Sequence, residues 1–238
     1  MLTKKNRVWA VVALLTGVIG FSSCLKNDTI STPPRPQASI WFLNTSTNGI
    51  GLDFYDNGTK VTSNSAIGFN FQARYSVYGG PHNFTFKKAG ADSLVLSTPD
   101  YPYDSTKFYT FLLYDNPIKA ATVYSDLSNY TQDKVYFRFL NLSKEAGLVD
   151  VFIGNTKVDS NRIFTPAFSS SFSPLPSLNM NGVVTIKRAG KDSVLVSNNK
   201  LKVTSFQQGN VYTVYMAGKP GSPAGDSLMV DAFYSYYN

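Results

Sequence analysis

The chain contains two copies of one unit, and this repeat limits what it can fold into more than any other feature. Phe42-Leu43-Asn44 returns as Phe139-Leu140-Asn141, Leu52-Asp53-Phe54 as Val149-Asp150-Val151, and Thr59-Lys60-Val61 as Thr156-Lys157-Val158, all displaced by 97. Asn64 and Asn161 keep the same spacing. Further on, the run from Lys87 to Ser97, with Ala89-Gly90 and Asp92-Ser93-Leu94, returns from Lys187 to Ser197 at a displacement of 100. Tyr109-Thr110 and Pro117 return as Tyr212-Thr213 and Pro220 at 103. An offset that grows by three, twice, marks short loop insertions in a fixed scaffold. The chain is therefore expected to build one small domain twice.

Each unit reads as all-β. Apolar and polar residues alternate with period two in Ile40-Trp41-Phe42-Leu43 and Phe84-Thr85-Phe86-Lys87. Turn chemistry bounds these runs: Asp56-Asn57-Gly58, Gly79-Gly80-Pro81 and Ala89-Gly90-Ala91-Asp92. Beyond the first residues, no stretch sustains a helical apolar stripe over three turns. Several short strands in about 100 residues predict an immunoglobulin-like β-sandwich. Two such sandwiches are expected in tandem, at residues 37–127 and 133–238, joined by a polar connection from Asp126 to Lys134.

Ahead of them, Lys4, Lys5 and Arg7 precede an apolar run from Val8 to Gly20, then Phe21-Ser22-Ser23 and the single cysteine, Cys24. This order is that of a secretory signal peptide over residues 1–23. The apolar run is too short for a comfortable membrane span, which needs about 20 residues. A lone thiol kept in an oxidising compartment points instead to a lipid attachment site. The arrangement resembles the lipobox of bacterial lipoproteins, with Phe21 where Leu, Val or Ile is most usual, a departure associated with the Bacteroidota. Cys24 is thus expected to carry the lipid and anchor the chain in the cell envelope, at the outer membrane. Residues 24–36, with Ser31-Thr32-Pro33-Pro34-Arg35-Pro36, form a stiff spacer.

The strand Val135-Tyr136-Phe137-Arg138-Phe139-Leu140-Asn141-Leu142-Ser143 is followed by Val149-Asp150-Val151-Phe152, a turn and Lys157-Val158. With the Ala-Gly element and the closing run from Tyr212 to Tyr215, it resembles the bacterial domain of unknown function 4397. The resemblance covers both copies and is better in the second. The first departs at Trp41, where the second has Arg138, and at Asn48-Gly49-Ile50-Gly51. The resemblance implies exported, often lipid-anchored β-sandwich proteins, and it implies no chemistry.

The formal charge of +7 includes three leader cations, so the mature chain sets 19 Lys and Arg against 15 Asp and Glu. These are scattered, without the basic stripe that nucleic-acid binding requires. His82 is the only histidine, and a hydrolase triad would have to use it. The second copy has Gly182 in its place, and His82 reads as a turn residue. One histidine and one cysteine make no zinc ligand set, and no cofactor motif is present. Asp56, Asn57 and Asp104 offer hard oxygens for calcium, without the spacing of a calcium loop.

Asp92-Ser93 and Asp192-Ser193 read first as turns in which Gly90 and Gly190 take positive φ and the Asp side chain caps the loop. Ser93, Ser105, Ser193, Ser227 and Thr29 also fit an Asp-Ser/Thr-aliphatic O-glycosylation pattern. Trp41 is placed by Arg138 on a solvent-side face, where it would be a sugar-stacking platform or a cover against the neighbouring domain. The C-terminal Phe233-Tyr234-Ser235-Tyr236-Tyr237 reads as a last strand of the second sandwich. The function expected is that of a non-enzymatic cell-envelope lipoprotein, a binding or structural module for an envelope protein or a glycan. The alternative is a surface glycan-binding lipoprotein of a polysaccharide uptake system.

Overall fold

A computed structural model describes residues 35–63, 65–176, 180–223 and 225–237. Cys24, Thr29 and the whole leader lie outside the described residues. Two β-sandwiches follow one another along the chain, and no helix occurs among the described residues.

The first sandwich sets one sheet, β10-β9-β1-β4, against a second, β3-β2-β6-β7. The first sheet holds β1 (Gln37–Asn44), β4 (Phe71–Tyr78), β9 (Phe108–Tyr114) and β10 (Lys119–Tyr124). The second holds β2 (Leu52–Asp56), β3 (Thr59–Lys60), β6 (Phe84–Lys88) and β7 (Leu94–Ser97). A small pair, β5 (Gly80–His82) with β8 (Tyr101–Tyr103), closes one end.

The second sandwich repeats this plan. One sheet, β14-β11-β19-β20, uses β11 (Tyr136–Asn141), β14 (Ser173–Pro174), β19 (Val211–Ala217) and β20 (Met229–Tyr236). The other, β13-β12-β16-β17, uses β12 (Val149–Ile153), β13 (Thr156–Arg162), β16 (Val184–Arg188) and β17 (Val194–Asn198). The small pair is β15 (Met180–Asn181) with β18 (Ser205–Phe206).

Registers agree between copies. Phe42 sits opposite Phe111 in a parallel pair, as Phe139 sits opposite Val214. Asp53 faces Lys87, as Asp150 faces Lys187. At the corner before β9, the Asp104 N–H donates to the Tyr109 hydroxyl at 3.1 Å, and the Gln207 N–H donates to Tyr212 at 2.8 Å. Each is a hydroxyl-to-backbone tie of the tyrosine-corner kind found in immunoglobulin-like sandwiches.

Within each sandwich the inward side chains make an apolar core, with Phe42, Phe54, Phe86 and Phe111 in the first and Phe139, Val151, Ile186 and Val214 in the second. A third core joins the two. Leu43, Leu112 and Tyr114 from the first sandwich pack with Leu140, Tyr215 and Phe233 from the second. The inner strands β9, β11 and β19 are thus buried on both faces, and every residue of β11 and β19 is buried. The second sandwich does not stand apart from the first, as a polar connection alone would allow. Duplication has placed two equivalent apolar faces against each other, and about 25 cal/mol per Å² of apolar surface favours keeping them together.

Candidate functional site

The junction settles the surroundings of Trp41. β1 presents Trp41 and Leu43 on its outer face, and the Trp41 ring lies 5.0 Å from Phe233 of β20, tilted by 32°. Arg138 takes the same position on β11 and is 3% exposed, which corrects the expectation of a solvent-side face. Its Nε donates to Thr213 Oγ1 at 2.8 Å and its Nη2 to Thr110 Oγ1 at 2.6 Å, and those two threonines are themselves repeat partners. Nη1 donates to the carbonyls of Tyr124 and Ser169, both at 3.3 Å, and the guanidinium lies 4.7 Å over the Phe172 ring. All these acceptors are neutral, so burial pushes the Arg138 pKa down, to about 9. Gln72 Nε2 also crosses the junction to the Tyr215 hydroxyl at 2.8 Å, and Lys144 of the second sandwich reaches Asp115 of the first. At one end of the junction, Trp41, Phe108, Tyr234 and Tyr237 gather with Arg74 around a groove of about 230 Å³. Their rings meet at steep angles, 79° for Phe108 with Tyr236 and 76° for Tyr234 with Tyr237, so they do not form one flat platform.

His82 sits on β5 with both ring nitrogens engaged. Nδ1 lies 2.7 Å from Asp56 Oδ1, and Nε2 lies 2.9 Å from the Tyr78 carbonyl. The Asp-His half of a hydrolase triad is therefore present, but a backbone carbonyl, which has no proton to give, occupies the nucleophile's position. Asp56 Oδ2 accepts from the Tyr75 hydroxyl at 2.8 Å; burial and this bond raise the Tyr75 pKa. In the second copy a Cβ on Gly182 would lie 2.5 Å from the Thr204 carbonyl, so β15 approaches β18 too closely for a histidine.

The oxygens considered for calcium are used locally. Asn57 Oδ1 accepts from the Asn83 N–H at 2.8 Å, and Asn57 and Gly58 take φ of 46° and 79°, the geometry of a tight hairpin turn. Asp104 Oδ1 accepts from the Thr106 N–H and hydroxyl at 2.9 and 2.8 Å.

Gly90 and Gly190 take positive φ as expected, 71° and 67°. The cap, however, is a different carboxylate. Asp53 Oδ2 accepts from the Gly90 N–H at 3.3 Å and from Lys60 Nζ at 2.8 Å; Asp150 Oδ2 accepts from the Gly190 N–H at 3.2 Å and from Lys157 Nζ at 2.9 Å. Lys60 and Lys157, with these N–H donors, hold the two carboxyls below the usual carboxylate range. Asp92 and Asp192 instead point to solvent and meet Lys87 and Lys187. The signal was in the sequence, since the Asp-to-Lys spacing of seven is kept in both copies. Of the glycosylation candidates, Ser93 and Ser193 are exposed on the turns, while Ser105 and Ser227 are half-buried.

One opening was not legible in the sequence. A cavity of about 300 Å³ runs into the side of the first sandwich between β4 and the residues Val61, Thr62, Ser63, Ser65 and Ile67. Its floor is Phe42 and Phe54, its walls include Phe71 and Tyr75, and Thr62, Ser63 and Ser65 line its mouth. The cavity follows from strand lengths. In the second copy β13 runs seven residues and stays paired to β12 as far as Arg162. In the first, β3 stops after two residues, the Val61 N–H still donates to the Phe54 carbonyl at 2.8 Å, and among the described residues the next bridge is Ile67, opposite Leu52.

Compared with known families, residues 38–152 match the model described as Domain of unknown function (DUF4397). The match spans the first sandwich and continues through β11 into β12. It ends before residues 163–176, where the counterpart of β4 shrinks to the two residues of β14. No curated protein matches the chain.

Proposed function

We propose that this protein is a non-enzymatic binding module of the cell envelope, lipid-anchored through Cys24 at the outer membrane. The observation that carries the binding role is the side cavity of the first sandwich. It is apolar at the floor and hydroxyl-lined at the mouth, the character of a ligand pocket. The reading as a non-enzyme is supported by His82, whose nitrogens are both held by acceptors, and by Asp53 and Asp150, each held by a lysine in its own sandwich. The anchor is supported by the order of cations, apolar run and lone cysteine. Each buried methylene of an attached lipid contributes about 0.8 kcal/mol to membrane binding.

Fractionation of cells expressing the wild type and Cys24→Ala tests the anchor, with mass spectrometry of the mature N-terminus. The wild type is expected in membranes with an acylated Cys24, and the variant in the soluble fraction. An unmodified Cys24, or cleavage at another residue, would refute the anchor.

A second reading, glycan capture at the junction groove, is supported by the gathering of Trp41, Phe108, Tyr234 and Tyr237 around Arg74. Affinity electrophoresis in polysaccharide gels tests it. Retardation that is lost in Tyr237→Ala would favour it, and unretarded migration would remove it.

A further inference from the structure

We propose that the side cavity of the first sandwich is a binding site for a small aromatic molecule bearing a hydroxyl or comparable polar substituent. This rests on the reading of the protein as a binding module, and it names the ligand class. The walls argue for a ring. Phe42 and Phe54 are 2% and 3% exposed at the floor, with centroids 5.1 Å apart and planes at 41°. Phe71 stands at 74° to Phe42, and Tyr75 at 79° to Phe54. Aromatic pairs favour offset and edge-to-face contact at centroid distances of about 4.5–7 Å. A flat ring entering this space meets one wall face-on and another edge-on, while an aliphatic group of equal volume gains burial alone.

The mouth argues for a single polar substituent. Thr62 Oγ1 is already engaged, donating to Asp53 Oδ1 at 3.2 Å and accepting from the Phe54 N–H at 3.1 Å. Ser63 and Ser65 are exposed on the same lip. Their hydroxyls can both donate and accept, which suits a phenolic hydroxyl or an indole N–H.

The contrast between copies supports a built site over loose packing. The counterpart opening in the second sandwich, about 260 Å³, has Phe139, Phe168 and three aliphatic side chains in its lining, together with the polar Asn141, Asn161, Arg162, Thr165 and Ser169. The two copies share a scaffold and a position, but four aromatic rings, Phe42, Phe54, Phe71 and Tyr75, line the first opening against two, Phe139 and Phe168, in the second.

Titration calorimetry of the mature chain carrying Cys24→Ala, which needs no detergent, provides the test. The probes are 4-methylphenol and indole, with cyclohexanol as the aliphatic control. The aromatic probes are expected to bind with 1:1 saturation, about three- to tenfold more tightly than cyclohexanol. Ala73→Phe fills the cavity and should abolish binding, as should Val61→Trp, which covers the mouth from an exposed position should the first variant fold poorly. Ala167→Phe, in the second copy's opening, should leave binding unchanged. Non-saturating heats, equal affinity for cyclohexanol, or binding that survives both Val61→Trp and Ala73→Phe would each overturn the assignment. The anchor is read separately, by fractionation, so either claim can fail alone.

Discussion

Arg138 and Trp41 occupy one position in two copies of one strand, and both are turned into the junction. A polar residue in an alternating strand ordinarily marks the solvent face, which is why the sequence pointed outward here. What the sequence could not display is that the opposite neighbour is another copy of the same face. A buried guanidinium satisfied by five neutral oxygens is costly to leave half-paired. Arg138→Ala should therefore lower unfolding free energy by about 2–4 kcal/mol in denaturant titrations, through the void and the lost bonds. Arg138→Met, which refills most of the volume, should cost less than half as much.

The aspartate caps make a pH-dependent contribution. The Asp53 and Asp150 carboxyls lie below their ordinary value of 3.8 in the folded chain. The unfolded state thus binds more protons as acid is added, and their contribution is present above about pH 4 and lost as pH falls through the folded values. The double variant Asp53→Asn with Asp150→Asn should flatten the acid limb of a stability-against-pH curve measured in urea. An unchanged limb would remove these two carboxylates from the acid response.

At the scale of elements, strands and hairpins were legible because their alternation and turn residues follow from local geometry. Asp56-Asn57-Gly58 and the Ala-Gly turns after β6 and β16 fall where they were expected. The identity of the cap was not, because Asp53 reaches Gly90 across 37 residues. The side cavity was hidden for a related reason: it depends on where β3 stops pairing, and the sequences Thr59-Lys60-Val61 and Thr156-Lys157-Val158 are identical. Two glycines separate local from non-local cost. A Cβ on Gly90 meets nothing within 4 Å, so Gly90→Ala should cost only the left-handed penalty of about 1–2 kcal/mol. Gly182→Ala would drive its Cβ to 2.5 Å from the Thr204 carbonyl and must shift backbone, so it should lower the melting temperature further. Thermal unfolding of the two variants side by side checks this ranking.

For the whole molecule, the repeat announced two sandwiches, and the structure adds that they share a third apolar core. The sequence carried a trace of it. Val211-Tyr212-Thr213-Val214-Tyr215-Met216-Ala217 is nearly continuous in apolar residues, the pattern of a strand buried on both faces. A shared core couples the halves energetically, because opening one exposes the apolar face of the other. Beyond residue 23 the chain contains a single tryptophan, Trp41, placed on that junction against Phe233. Equilibrium denaturation followed both by Trp41 fluorescence and by far-ultraviolet circular dichroism therefore tests the account directly. Coincident single transitions are expected, with the junction lost only as the sheets are lost. A fluorescence transition at distinctly lower denaturant, followed by a separate loss of strand signal, would show two sandwiches that merely touch and would contradict it.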